Sequence, residues 1–324
     1  MLVDGKWVGD WQPVQAKDEK GRFIRQISSF RNWITPDGRP GPTGLGGFKA
    51  EAGRYRLYVA LICPWASRTL IARKLKGLTE LIPVTVVSPK LTDEGWEFGS
   101  YPGADEEPLF GLRHMHQLYT RVDDKFTGRA TVPVLWDMKQ GLIVNNESAD
   151  ILRMFNSAFQ ELAPSDLDLY PAGLAGEIDA LNARLYDRLN NGVYKAGFAS
   201  SQEAYDEAAD GVFGILEDLE NRLDGEYLVG NRLTEVDIRA FVTLVRFDAA
   251  YHGLFKLNWK RIADYPRLSA FVERMMRLPG VAETVNMDHI TAGYYSVKAL
   301  NPSGIRPVGP THVCRMLERA KSAA

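Results

Sequence analysis

A change of hydrophobic period near residue 165 constrains this chain more than any other feature. Before it, short runs of aromatic and β-branched residues alternate with helical and loop-like stretches; after it, every apolar pattern repeats at helical spacing. Arg54 to Ile62 reads as a strand, followed by a helix from Pro64 or Trp65 to Lys76, which Gly77 stops. Leu81 to Val87 reads as a second strand. Thr131 to Trp136 and Leu142 to Val144 flank the polar turn Asp137 to Gly141 as two more, and a helix runs from Glu147 to Ala158. The order β-α-β then β-β-α, with Pro133 near the start of the third strand, is the layout of a thioredoxin-like α/β domain. Leu174 to Leu189, Ser201 to Leu223, Glu235 to Ala250, Tyr265 to Leu278 and Val281 to about Ala299 then predict an all-α C-terminal domain.

At 324 residues the chain exceeds the roughly 250 at which a single core stops growing. We therefore divide it into an extended Gly/Pro-rich arm (1–50), an α/β domain (51–160), a helical domain (165–300) and a tail (301–324) that is Pro/Gly-rich up to Pro310. A formal net charge of -2 argues against nucleic acid as a partner, because phosphate binders concentrate Lys and Arg. The longest apolar candidate, Val236 to Val245, is interrupted by Asp237 and Arg239, so no membrane span is expected. The first residues lack the basic start and apolar stretch of an export signal. With only Cys63 and Cys314, a disulfide framework is implausible, and a reduced, cytoplasmic setting is expected.

Cys63 lies where a strand ends and a helix begins, which would aim its sulfur at unpaired backbone N–H groups and the positive end of the helix dipole. Both favour the thiolate, and thiol pKa values fall from about 8.5 to roughly 3.5–7.5 in such places. Pro64 suits the first helical position, where no N–H is needed, and Arg68 one turn on is a candidate second charge. An isolated cysteine is more often an inert buried thiol; its position argues otherwise. Three residues on stands Ala66 rather than a second Cys, so a mixed disulfide at Cys63 would need an external thiol to resolve it. Cys314 has no strand-to-helix context.

Cys63-Pro64-Trp65-Ala66, the strand Thr131-Val132-Pro133-Val134-Leu135-Trp136-Asp137 and the helix start Asn145-Asn146-Glu147-Ser148-Ala149-Asp150 together resemble the glutathionyl-hydroquinone reductases, the Xi class of glutathione transferases. The resemblance extends through Gly21-Arg22-Phe23, Gly95-Trp96-Glu97-Phe98, Asn191 to Phe198, Leu233 to Arg239 and Asn301-Pro302-Ser303-Gly304, nearly the whole chain. It departs at Ser67, where the family reads His.

The resemblance implies a glutathione-transferase fold, glutathione as co-substrate, and a homodimer; no metal is expected. It implies a cis bond at Val132-Pro133, with Val132 pairing its backbone to the cysteinyl unit of glutathione as an added strand would. Ser148 and the N–H groups at its helix head would hold the γ-glutamyl carboxylate, and Glu147 the ammonium; without the resemblance, Glu147-Ser148 reads as simple helix capping. By family position Trp96 and Arg129 are further glutathione-binding candidates, as an aromatic wall and a cation. Tyr194, Tyr251 and Tyr294 are expected around the aromatic substrate, where phenols can bind a hydroxyl and assist protonation. Cys63 would be the catalytic nucleophile, forming a mixed disulfide with glutathione. Competing readings are an omega-like thioltransferase or dehydroascorbate reductase, and a non-catalytic glutathione-transferase-like binding or channel-like module. Thr234 and Asp237 read as a capping box with a folding role. His114 and His116 have no acidic or thiol partner nearby in sequence, which argues against a metal site.

Overall fold

The computed structural model describes residues 1–9 and 17–322, which fall into two compact units. The first unit contains residues 1–9 and 27–167, the second residues 17–26 and 168–322. The N-terminal arm expected as a separate segment is therefore divided between the units, because its pieces pair with partners more than a hundred residues away.

The first unit opens with a hairpin of β1 (Leu2–Val3) and β2 (Lys6–Trp7). Then come β3 (Tyr55–Val59), α1 (Pro64–Leu75), β4 (Val84–Val86), the small ribbon β5 (Leu91–Thr92) and β6 (Gly95–Trp96), α2 (Met115–Val122), β7 (Val134–Asp137), β8 (Leu142–Asn145) and α3 (Ser148–Ser157). The main sheet has the order β4-β3-β7-β8. β3 and β4 are parallel, with Leu57 opposite Val84, and α1 makes the crossover that parallel strands require. β7 runs antiparallel to both β3 and β8. Tyr55, Leu57, Tyr58, Val59 and Ala60 are all fully buried, which explains why β3 reads as a nearly continuous apolar run instead of an alternating one. Gly77, just past α1, takes a φ of +67°, the left-handed conformation that ends the helix where expected. The arm adds to this sheet: the Asn32 N–H donates to Val144 O at 3.0 Å and the Asn146 N–H to Phe30 O at 3.1 Å, extending the edge beyond β8. The stretch read as loop before β7 contains α2, whose eight residues bury only Met115, Leu118 and Tyr119 and give too short a pattern to recognise.

The second unit is helical: α4 (Ala175–Leu185), α5 (Gly192–Gly197), α6 (Gln202–Arg222), α7 (Glu235–Arg246), α8 (His252–Leu254), α9 (Pro266–Arg277), α10 (Met287–Tyr294) and α11 (Thr311–Ser322). Two π-helical stretches, Tyr186–Asn190 and Phe247–Tyr251, follow α4 and α7. The capping box holds: Asp237 accepts from the Thr234 N–H at 2.8 Å and from the Leu228 N–H at 2.9 Å. One expectation fails. The helix read over Val281 to Ala299 is broken, because the Asn286 side chain accepts from the His289 N–H at 3.0 Å and starts α10 afresh. The tail also carries order: beyond Pro310, α11 buries Val313, Leu317 and Ala320, a stripe at helical spacing that packs on α9.

Candidate active site

At the end of β3 the chain turns tightly, the Cys63 N–H donating to Ala60 O at 3.0 Å, and Cys63 becomes the N-cap of α1. Its sulfur accepts from the Ala66 N–H at 3.5 Å and lies 3.7 Å from Val132 O. The thiol is half-buried, and Pro64 occupies the first helical position. The residue that departs from the family serves the backbone: the Ser67 hydroxyl donates to Cys63 O at 3.0 Å. Arg68, one turn on from Cys63, also contacts Trp65 and the head of α3. It is buried, its guanidinium lies 4.4 Å from the Trp65 ring centroid, and it reaches Ser148 Oγ at 3.4 Å.

Val132-Pro133 is cis, and Val132 is buried. Glu147 is the N-cap of α3 and accepts from the Ala149 N–H at 3.1 Å; Ser148 is the first helical residue. The arm braces this helix head. Ser28 Oγ donates to Glu147 at 3.0 Å, and Arg31 binds the Asp150 carboxylate through two nitrogens, at 2.5 and 3.0 Å. Sequence reasoning missed Ser28 and Arg31, since nothing in their own neighbourhood reveals partners 119 residues away. Trp96 is half-buried on β6, opposite Leu91. Arg129 is half-buried beside Gly128, which pairs with Leu2 of β1, and its charge acts on the N-terminal ammonium.

In the second unit the structure brings Tyr194, Tyr251 and Tyr294 together. Their hydroxyls form a chain in which Tyr294 is central, 2.7 Å from Tyr194 and 2.8 Å from Tyr251. Tyr194 comes from α5, Tyr251 closes the second π-helical stretch and Tyr294 ends α10. Phe255 packs among the three rings, 5.7 Å from Tyr194 and 5.2 Å from Tyr251. Gly197 permits this, because a Cβ there would meet the Phe255 ring at 2.3 Å. Tyr251 and Tyr294 are buried while Tyr194 is half-buried, so Tyr194 is the most accessible of the three. Burial pushes the Tyr251 and Tyr294 phenols well above their ordinary range, so both keep their protons at neutral pH. Arg25 of the arm, not foreseen from sequence, lies 5.0 Å from the Tyr194 ring centroid and donates to Asn191 Oδ1 at 2.7 Å.

The expectation that His114 and His116 lack an acidic partner is overturned. Glu94, on the turn between β5 and β6, stands 3.5 Å from His114, and ligand atoms of Glu94, His114 and His116 all lie within 4.8 Å of one another. A sequence gap of twenty residues hides this approach, which the pairing of Glu97 with His114 brings about.

A thioredoxin-like unit with a monothiol at a helix head, together with a helical unit, defines a class that comparison with known proteins makes specific. The glutathione S-transferase N-terminal domain family matches residues 62–158, and the corresponding C-terminal domain family matches residues 202–274. The chain is 53% identical to the glutathionyl-hydroquinone reductase YqjG of Escherichia coli K12, over 96% of this chain and 95% of that protein. It is 48% identical to the glutathionyl-hydroquinone reductase PcpF of Sphingobium chlorophenolicum, over 96% of each. The glutathione-bound structure of YqjG superposes with a TM-score of 0.87 at 51% identity, covering 96% of this chain and 95% of that one. The glutathione S-transferase Xi of Phanerochaete chrysosporium also gives a TM-score of 0.87, at 48% identity over 91% and 95% of the two chains. The chain has the glutathione-transferase fold. It belongs to the glutathionyl-hydroquinone reductases, the Xi class of glutathione transferases.

Proposed function

We propose that this enzyme uses glutathione to remove the glutathionyl group from glutathionyl-hydroquinones, through a mixed disulfide at Cys63. The observation that carries the chemistry is the half-buried Cys63 sulfur at the head of α1, facing the Ala66 N–H, with Ala66 where a dithiol enzyme has its second cysteine. The Cys63 thiolate attacks the glutathionyl sulfur, forming a sulfur–sulfur bond as the sulfur–carbon bond breaks. The electron pair of that bond goes to the ring carbon, which takes up a proton, and the hydroquinone leaves. A second glutathione thiolate then attacks the mixed disulfide, releasing oxidised glutathione and restoring Cys63. The net reaction consumes one glutathione, reduces the aryl carbon and oxidises two thiol equivalents to one disulfide.

In this reading Val132 and Pro133 present backbone to glutathione, and Ser148 with Glu147 holds its γ-glutamyl end at the α3 head. Trp96 and Arg129 complete the glutathione site. Tyr194, Tyr251 and Tyr294 act on the aromatic group, their linked hydroxyls binding a ring hydroxyl and supplying the proton. No metal takes part in this reaction. We further assign the enzyme to the cytoplasm, in keeping with two free cysteines, and to a homodimer, as the family likeness implies. Among the described residues no helix is long and apolar enough to cross a membrane.

Glutathione-dependent release of a hydroquinone from its glutathionyl conjugate tests the function directly. Turnover confined to mixed disulfides would make the chain a thioltransferase instead. Failure to form a mixed disulfide with oxidised glutathione, read by intact mass, would favour a binding module. Sedimentation showing only the 36.2 kDa monomer would exclude the dimer.

A further inference from the structure

We propose that Glu94, His114 and His116 form a binding site for a divalent transition-metal ion of the zinc class, separate from the thiol chemistry. The site is made by backbone geometry. Residues two apart on a helix face away from each other, but His114 is the extended N-cap of α2, with φ -132° and ψ 147°, and His116 is the second helical residue. The two imidazoles consequently lie parallel, their centroids 5.4 Å apart with 7° between the planes. Trp7 of β2 packs its ring against His116 with centroids 4.6 Å apart, and its indole N–H donates to Asp93 O at 2.8 Å, pinning the turn that carries Glu94.

Two features mark this cluster as more than a pair of parallel rings. His114 is buried, and the Nε2 atom of His116 is buried without a hydrogen-bond partner among the described residues. Leaving such a nitrogen unsatisfied has a desolvation cost that a coordinate bond would remove. The donor set of two imidazole nitrogens and one carboxylate oxygen is that of three-ligand zinc sites with an open fourth position for water. Tetrahedral coordination with bonds of about 2.0–2.1 Å places its ligand atoms ~3.4 Å apart, and Glu94 Oε2 already lies 3.5 Å from His114 Nε2. No two of the ligand atoms are more than 4.8 Å apart, so the widest pair closes by at most roughly 1.4 Å. Glu94, exposed at a turn tip, is free to adjust on its side of the site. A bound ion would tie the head of α2 to the ribbon that carries Trp96.

The test uses the full chain with both thiols capped as methyl disulfides, which removes Cys63 and Cys314 as competing ligands. Equilibrium dialysis against Zn²⁺ is expected to give one ion per chain at micromolar free metal. His116→Phe, which preserves the stack on Trp7, and Glu94→Gln, at an exposed turn, are each expected to weaken binding roughly tenfold or more. Far-UV circular dichroism shows whether each variant is folded. Ni²⁺ provides an independent reading: it should quench the Trp7 contribution, taken as the difference between the parent and Trp7→Phe, and the quench should vanish in His116→Phe. Equal uptake by the parent and both variants, or uptake only at millimolar metal, overturns the proposal.

Discussion

The surroundings of Cys63 and the tyrosine cluster are built in opposite ways. Around Cys63 the hydrogen bonds to Ala60, Ala66 and Ser67 lie within four residues, and Val132 comes from another strand's approach. The phenols come from three separate helical segments, Tyr194 and Tyr294 being 100 residues apart and Tyr251 and Tyr294 43 apart. A helix head needs only the next turn of its own chain to create N–H donors, so a reactive thiol position can be written into a few residues. A chain of linked hydroxyls needs several helices packed to within a few tenths of an ångström.

The sharpest way to test that division is to remove the sulfur. Cys63→Ser is expected to lower turnover by roughly 10⁴-fold or more on both a glutathionyl-hydroquinone and a glutathione mixed disulfide, since both reactions need the same nucleophile. Steady-state rates on the two substrates measure it, and retained turnover on either one would remove Cys63 from that reaction. The tyrosines should separate the substrates. Breaking a sulfur–carbon bond leaves electron density on carbon, whereas breaking a sulfur–sulfur bond leaves a thiolate that needs no proton donor. Tyr294→Phe, which cuts both links of the chain, should slow hydroquinone release by ~10²–10⁴-fold and leave disulfide reduction nearly unchanged. Tyr194→Phe should act similarly, and Tyr251→Phe less, because Tyr251 is the buried end of the chain. Equal losses on both substrates would mean that the phenols support the fold or the glutathione site.

Alkaline stability provides a smaller contrast. Unfolded tyrosines ionise near pH 10, while burial holds Tyr251 and Tyr294 protonated well above it. Above pH 10 the unfolded chain has therefore released protons that the folded protein retains. The stability contributed by each group is complete below pH 10 and falls by at most about 1.4 kcal/mol per pH unit as the pH rises further. Denaturant midpoints across that range should fall less steeply for Tyr294→Phe than for the parent; identical slopes would refute the linkage. The two arm arginines should have the mildest effects. Arg25→Gln removes a cation from the face of Tyr194 and should slow hydroquinone release alone, by about two- to fivefold. Arg31→Gln loosens the head of α3 and should raise the apparent KM for glutathione with either substrate, by a comparable factor. If each variant affected both reactions alike, the arm would serve the fold as a whole.

How much could be read from the chain follows the same physical line. The βαβ start, the stop at Gly77, the capping box of Thr234 and Asp237 and the alternation from mixed to helical structure all depend on contacts within a few residues. The helix over Val281 to Ala299 was misjudged because apolar spacing continues through Asn286, where a side-chain cap restarts the backbone. The order in α11 was hidden by the Pro/Gly-rich segment before it, since only packing on α9 gives its apolar stripe something to cover. The contact of Arg68 with Ser148 joins positions 80 residues apart and leaves no local trace at either one.

By itself the sequence determined a two-part protein with a monothiol at a strand-to-helix junction, because periodicity, helix caps and the choice of Pro64 and Ala66 act over one or two turns. The tertiary structure alone decided which residues the arm would brace, that three distant phenols would share hydrogen bonds, and that Glu94 would meet His114 and His116. Those outcomes depend on strand pairing and helix packing across the chain, where the deciding contacts leave no periodic trace near either partner.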